Sequence, residues 1–413
     1  MCDKYWNMIR TLRYYLIVIE LLMVGCGEQS IKASVTETTL SRDSRVVVRF
    51  ERGENARTLE DSEFSEFTIS ILQSGRYRIS FFGQTKTECA VWLEDYASNA
   101  DGRTYNITGM VTLNAGGKGF KEGSPLGKGE HQIKVHAAGT VQPDSIVFEL
   151  MVPEQKTSKS ITQKMHGNEW TLVWSDEFEG AGLPDSSKWS YNTGNWGWGN
   201  NEPQYYTADR VENARQENGY LVIEAHKNDL GHDWTSARLT TQGKIAFTYG
   251  KIEFRAKVPT GRGTWAAGWL LGDAYEDEIS WPYCGEIDVL ESVGFEIDDE
   301  TGRGKNHATC HTRAYYFKQG NQIGSEIELD SMNTNFHTYA VEWYPNVIYG
   351  LIDGERYYTY DKNANELEWP FNAPQNIILN LAIGGGWGGA EGIDESYKNH
   401  QFILDYVRVY GVK

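Results

Sequence analysis

The chain has 413 residues, enough for two or three domains, and a formal net charge of −18 from 39 basic and 57 acidic side chains. A chain this acidic is a poor partner for nucleic acid or for an anionic polymer. With 14 Trp, 24 Tyr and 43 Gly, and no long stretch of helical period beyond the N-terminus, the composition points to an all-β chain, most of whose aromatic rings fill β cores while others suit the apolar faces of sugars. The five cysteines (Cys2, Cys26, Cys89, Cys284 and Cys310) show neither metal spacing nor disulfide-framework density. Cys284 and Cys310 are expected on neighbouring strands as two buried thiols, with a disulfide as the alternative.

Residues 1–25 carry Lys4, Arg10 and Arg13, followed by the apolar run Y-Y-L-I-V-I-E-L-L-M-V-G at 14–25. Twelve residues are too few to span a bilayer and read as the core of a signal peptide. The run ends in M-V-G-C, which resembles a bacterial lipobox. That resemblance implies lipidation of Cys26 and a place in the cell envelope, with the lipid as the only membrane attachment. Residues 26–45 are polar and rich in Ser and Thr, a tether. From 46 to 151, strand-like runs recur between turn signals, among them R-V-V-V-R-F (45–50), R-Y-R-I-S-F-F (76–82) and S-I-V-F-E-L (145–150). They predict a small β-sandwich that resembles carbohydrate-binding modules, with a plain spacer as the alternative. Its expected task is to gather polymer, leaving it dispensable for chemistry. Residues 152–168 read as a polar linker.

Residues 169–413 open with W-T-L-V-W-S-D-E-F (170–178) and continue as strands and loops to F-I-L-D-Y-V-R-V-Y (402–410). The centre is W-P-Y-C-G-E-I-D-V-L-E-S-V-G, 281–294. Ile287, Val289, Leu290 and Val293 are strand formers, so Glu286 and Asp288 share one face. Glu291 is five residues from Glu286, an odd spacing that would turn it to the other face. A bulge at Val289 or Leu290 would bring it back. Three carboxylates on one face push their pKa values apart, so that one stays protonated while another is ionised. A solvated acidic strand or a cation site are the other readings of this pattern, although no EF-hand run is present.

The segment G-E-I-D-V-L-E, 285–291, resembles the active-site signature of family 16 of the glycoside hydrolases in its bulged E-x-D-x-x-E form. Further matching segments extend from about Trp170 to Tyr410. The resemblance implies a concanavalin-like jelly-roll sandwich, two curved antiparallel sheets with a sugar-binding cleft on the concave face. It implies a retaining endo-β-1,3-glucanase of laminarin-type and perhaps mixed-linkage glucan, working as a monomer without a catalytic cofactor. Glu286 would be the nucleophile, Glu291 the general acid and base, and Asp288 the charge between them. For the substrate, Trp281, Trp269 and Trp387 are candidate stacking platforms, and His311, Asn200, Asn201 and Arg255 candidate polar contacts. Glu202 sits beside the asparagines, and His307 shares the face of His311 if that strand is regular. The family also implies a structural Ca²⁺ on the convex face, held here by Glu177, Gly219 and Asp405. A galactan hydrolase acting on agar or carrageenan, and a non-catalytic glycan-binding lipoprotein, are the competing readings.

Overall fold

The computed structural model describes residues 35–412, apart from 41–44, 52–57, 62, 97–103, 155, 156, 166, 168 and 364. The expected signal peptide, Cys26 and most of the expected tether lie outside the described residues. Among the described residues no helix is long and apolar enough to cross a membrane.

Alternation at period two builds the N-terminal unit. In Gly75–Gln84, Tyr77, Ile79 and Phe81 point inward while Arg76, Arg78 and Ser80 are part-exposed. One sheet runs in the order 35–40, 45–50, 142–153, 75–84, 118–126, and a second pairs 64–71, 129–138, 89–95 and 105–106. The first strand, Val35–Leu40, pairs with Arg45–Phe50, so the sandwich begins inside the stretch expected to be a tether.

The C-terminal part is a network of 18 strands folded into two layers, the expected jelly roll. One layer sets Gly304–His311, Glu286–Val293, Thr264–Gly272, Gln375–Ile383 and His232–Thr240 side by side. The other carries Val347–Ile352, His337–Trp343, Gly250–Lys257 and Asn399–Val412. Phe254, Ile287, Leu290, Leu379 and Val407 are buried in one core between them. The expected linker is partly built into this body: Lys159–Thr162 pairs in parallel with Ile245–Thr248, and Ser158 donates to Asp273.

The two units also share a core. Tyr77, Ile79, Tyr105 and Phe148 of the sandwich pack in one cluster with Leu271, Tyr275, Trp281, Tyr316 and Ile378 of the jelly roll. Cys89, Cys284 and Cys310 are free thiols, and burial raises the pKa of each.

Phe254 joins the two layers of the jelly roll. A Cβ on Gly268 would lie 3.4 Å from its ring, in van der Waals contact, so the cleft-bearing strand packs directly onto it. Phe254→Ala is expected to destabilise the chain by about 3–5 kcal/mol, read from the midpoint of urea unfolding. A loss under about 1 kcal/mol would contradict this packing.

Candidate active site

The acid strand Glu286–Val293 carries the expected bulge. Trp269 pairs with Asp288 and Gly268 with Leu290, so Val289 is the extra residue. Glu286, Asp288 and Glu291 therefore all line the same cleft, while Ile287, Val289 and Leu290 are buried in the core. A bulge leaves backbone groups without ladder partners. Asn306, itself fully buried, supplies them: its Nδ2 donates to the Val289 carbonyl at 3.1 Å, and its Oδ1 accepts from the Glu291 amide at 3.1 Å. The same Nδ2 also reaches Tyr357 Oη at 2.9 Å.

The cleft walls follow the same periodicity. Trp265, Ala267, Trp269 and Leu271 line it from one strand, Asn380 and Ala382 from the next, and Arg238 from the third. The guanidinium of Arg238 lies between the rings of Trp198 and Trp269, 5.0 and 4.8 Å from their centroids, a cation–π sandwich. The walls enclose an open cleft of about 740 Å³, a figure that includes the solvent at its mouth.

Each glutamate has a tryptophan N–H. Trp281 Nε1 donates to Glu286 Oε2 at 2.8 Å, and Trp265 Nε1 to Glu291 Oε1 at 3.1 Å. Burial, then the Asp288 charge, raises the pKa of both. The relief is unequal. His311, the Trp281 indole and Arg238 all pull Glu286 back down. Glu291 is pushed further up by Glu286 and Glu202, with only the Trp265 indole opposing. Of the two, Glu291 holds its proton more firmly. His311 Nε2 lies 3.3 Å from Asp288 and 3.9 Å from Glu286. Burial lowers its pKa, but the hydrogen bond and charge of Asp288 outweigh this and leave it raised.

The other expected site residues divide. Asn200 lines the cleft and donates to Glu202 Oε1 at 3.3 Å. Burial pushes Glu202 up to about 7. Trp269 lines the cleft with its indole on Asn380 Oδ1 at 2.8 Å. Trp281 is 6% exposed, boxed in by His311, Tyr316 and Phe317. It is chiefly a donor to Glu286, with little ring face left for stacking. Trp387 stands behind Trp265, centroids 5.3 Å apart, and touches His307. His307 bonds Glu296 at 2.6 Å. Asn201 is exposed, with φ 57°. It is a turn residue and does not line the cleft. Arg255 is in the other layer, paired with Asp405, so it too is outside the cleft. Arg238 and Lys318 are the cations that line it. Trp265, Arg238 and Asn306 were missed, although Trp265 lies four residues before Trp269 and on a strand must share its face.

The expected Ca²⁺ ligands do not fit that role. Arg408 bonds both oxygens of Glu177 at 3.0 and 2.8 Å, and Arg255 takes Asp405. Each carboxylate already has its counter-charge. Gly219 occupies a left-handed turn position. The acid cluster differs: Glu286, Asp288 and His311 offer ligand atoms within 4.8 Å of one another, a set that could hold a metal ion.

Comparison with known proteins places this site in a family. The model for glycosyl hydrolases family 16 matches residues 201–407. A β-glucanase of Rhodothermus marinus is 47% identical over 249 residues, 58% of this chain and 85% of that protein. The solved structure of the laminarinase from Rhodothermus marinus is 46% identical with a TM-score of 0.55, covering 59% of this chain and 98% of that one. A non-specific endo-β-1,3(4)-glucanase of family 16 has 39% identity and a TM-score of 0.55, covering 61% and 94%.

The raised pKa of Glu291 has a consequence for stability. A carboxyl whose folded pKa exceeds its unfolded one stabilises fully below the unfolded value and progressively less as pH rises toward the folded one. Glu291→Gln removes this penalty. Its melting temperature should exceed the parent's at pH 7 and converge with it near about pH 4, where a free Glu titrates. Equal melting temperatures at both pH values would contradict the burial of this charge.

Proposed function

The chain belongs to family 16 of the glycosyl hydrolases, and from that premise we propose that it is a retaining endo-β-1,3-glucanase of laminarin-type glucan. The observation that carries the mechanism is the bulge at Val289, which turns two glutamates with unequal proton affinities to one cleft. Residues 169–413 carry the chemistry. Glu286, the acid better relieved of its charge, attacks the anomeric carbon and forms a glycosyl ester. Glu291 gives its proton to the departing glycosidic oxygen, so the leaving chain ends as a hydroxyl. Glu291, now a carboxylate, takes a proton from water, whose oxygen displaces Glu286 and returns it as a carboxylate. Asp288 lies between them, with His311 Nε2 3.3 Å away. Mixed-linkage β-1,3-1,4-glucan is a second substrate in this reading. The sandwich, with Phe120 exposed beneath Arg78, is the part that gathers polymer.

Release of reducing ends from laminarin, barley glucan and agarose tests the specificity, with laminarin expected first and agarose inert. Preferred cleavage of agarose would overturn it. Glu286→Gln and Glu291→Gln should each lower kcat by about 10²-fold or more. NMR of the first product should show the β-anomer, because double displacement retains configuration. An initial α-anomer would exclude the covalent intermediate.

Lipidation of Cys26 belongs to the same proposal, and its support is the M-V-G-C sequence alone. Cys26→Ala should move the protein out of the membrane fraction of its host, and unchanged fractionation would sink the anchor.

A further inference from the structure

The N-terminal sandwich meets the jelly roll at two loops, and both loops form the cleft. The first runs from Tyr275 to Gly285 and brings Tyr275, Glu278 and Trp281 to the cleft wall. Tyr105 of the sandwich, 1% exposed, donates its hydroxyl to the Trp281 carbonyl at 3.3 Å. The ammonium of Lys318 sits over the rings of both Tyr105 and Trp281, 5.3 and 5.6 Å from their centroids. Asp277 of the same loop accepts from the Gly127 amide at 2.9 Å.

The second loop, 193–201, supplies Trp196, Trp198 and Asn200. Here Glu122 and Asn195 bond each other twice: the Asn195 amide donates to the Glu122 carbonyl at 2.9 Å, and the Glu122 amide to Asn195 Oδ1 at 3.0 Å. The Glu122 carboxylate accepts from Tyr205 at 3.0 Å. Backbones meet closely at this seam. A Cβ on Gly123 would run into the Thr193 carbonyl, and one on Gly194 into that of Glu122. At Gly109 a Cβ would lie 3.2 Å from the Trp196 carbonyl. An independent module on a flexible linker makes no such seam.

We infer that the sandwich is a working part of the catalytic site, with Tyr105 and Asn195 as positioning residues that fix the two cleft loops, and through them the Trp281 indole on Glu286 and the Trp196–Asn200 wall. The sandwich therefore acts on every glycosidic bond cleaved, including those of substrates too short to be gathered. This replaces the expectation that it is dispensable for chemistry.

The inference rests on the hydrolytic reading above, so its test uses the full chain on short soluble β-1,3-linked gluco-oligosaccharides, where polymer gathering plays no part. Tyr105→Ala and Asn195→Ala are expected to lower kcat by about 10-fold to 100-fold, the effect of a displacement near 1 Å at a reacting centre. Tyr105→Phe, which keeps the ring beneath Trp281 and Lys318, should stay within about tenfold of the parent. Asn195→Asp, which keeps the acceptor for the Glu122 amide, should restore most of the loss. Lys86→Ala, on an exposed bend of the sandwich, should leave kcat on these substrates unchanged. Melting temperatures identify variants that are folded at the assay temperature. If Tyr105→Ala does not fold, Asn195→Ala decides. Folded alanine variants at Tyr105 and Asn195 with the parent's kcat would overturn the inference, as would an equal loss from Lys86→Ala. A parent without turnover on these oligosaccharides refutes the hydrolytic reading itself; parent and variants turning over equally refutes only the positioning role.

Discussion

One extra residue, Val289, sets the terms for the rest of the cleft. Without it, Glu291 would face the core, where an unpaired carboxylate is prohibitively costly. With it, three acids share one face and the strand loses its regular ladder. The surroundings answer both problems. Asn306 satisfies the orphaned backbone on either side of the bulge. On the facing strand, Gly268 approaches Phe254 at the point where the register shifts. The bulge thus takes its missing partners from a buried amide on one neighbour and packs a small residue against Phe254 on the other.

The same geometry distributes charge. Three buried carboxylates repel one another, and the cations near them are unevenly placed. His311 is on the strand paired with Glu286, and Arg238 is held by Trp198 and Trp269. Glu286 receives help from both, whereas Glu291 receives only an indole N–H. Two chemically identical side chains five residues apart, both raised above the usual carboxylate range, thereby differ in proton affinity, and Glu291, the one that holds its proton more firmly, is the one suited to act as the acid. The destabilisation this imposes on the fold is inseparable from the function, because a comfortably solvated Glu291 would have no proton to give at neutral pH.

Local pattern in the chain revealed a good deal of this. The odd spacing of Glu286 and Glu291 pointed to a bulge within one residue of where it lies, and alternation located the strands of both units. Partners brought together by long-range pairing were not legible in this way. Arg238 and Arg255 each sit in an ordinary strand pattern. Only the sheet topology puts Arg238 over the cleft and sends Arg255 to Asp405 in the other layer. Asn201 and Asn200 are adjacent, yet a left-handed turn exposes the first while the second lines the cleft. Asn306 gave no signal, since a single amide in K-N-H-A-T reads as a surface residue until the neighbouring bulge is known.

The domain boundary was the hardest feature to read, and the reason is physical. A polar run such as 152–168 looks like a flexible linker because composition reports solvation, and composition does not reveal which backbone groups find partners. Here Lys159–Thr162 joins a sheet and Ser158 bonds Asp273, so this part of the connection is fixed to the jelly roll. A fixed connection favours a packed interface, because little orientational freedom is left to lose when the two bodies meet. The surfaces that meet are aromatic on both sides: Tyr105 from the sandwich, and Tyr275, Trp281 and Tyr316 from the cleft loops. Loops that carry catalytic donors are ordinarily the least restrained parts of a scaffold. In this chain their outer sides are buried against a second sandwich, so the rigidity of the Trp281–Glu286 contact is set by residues more than a hundred positions away in sequence.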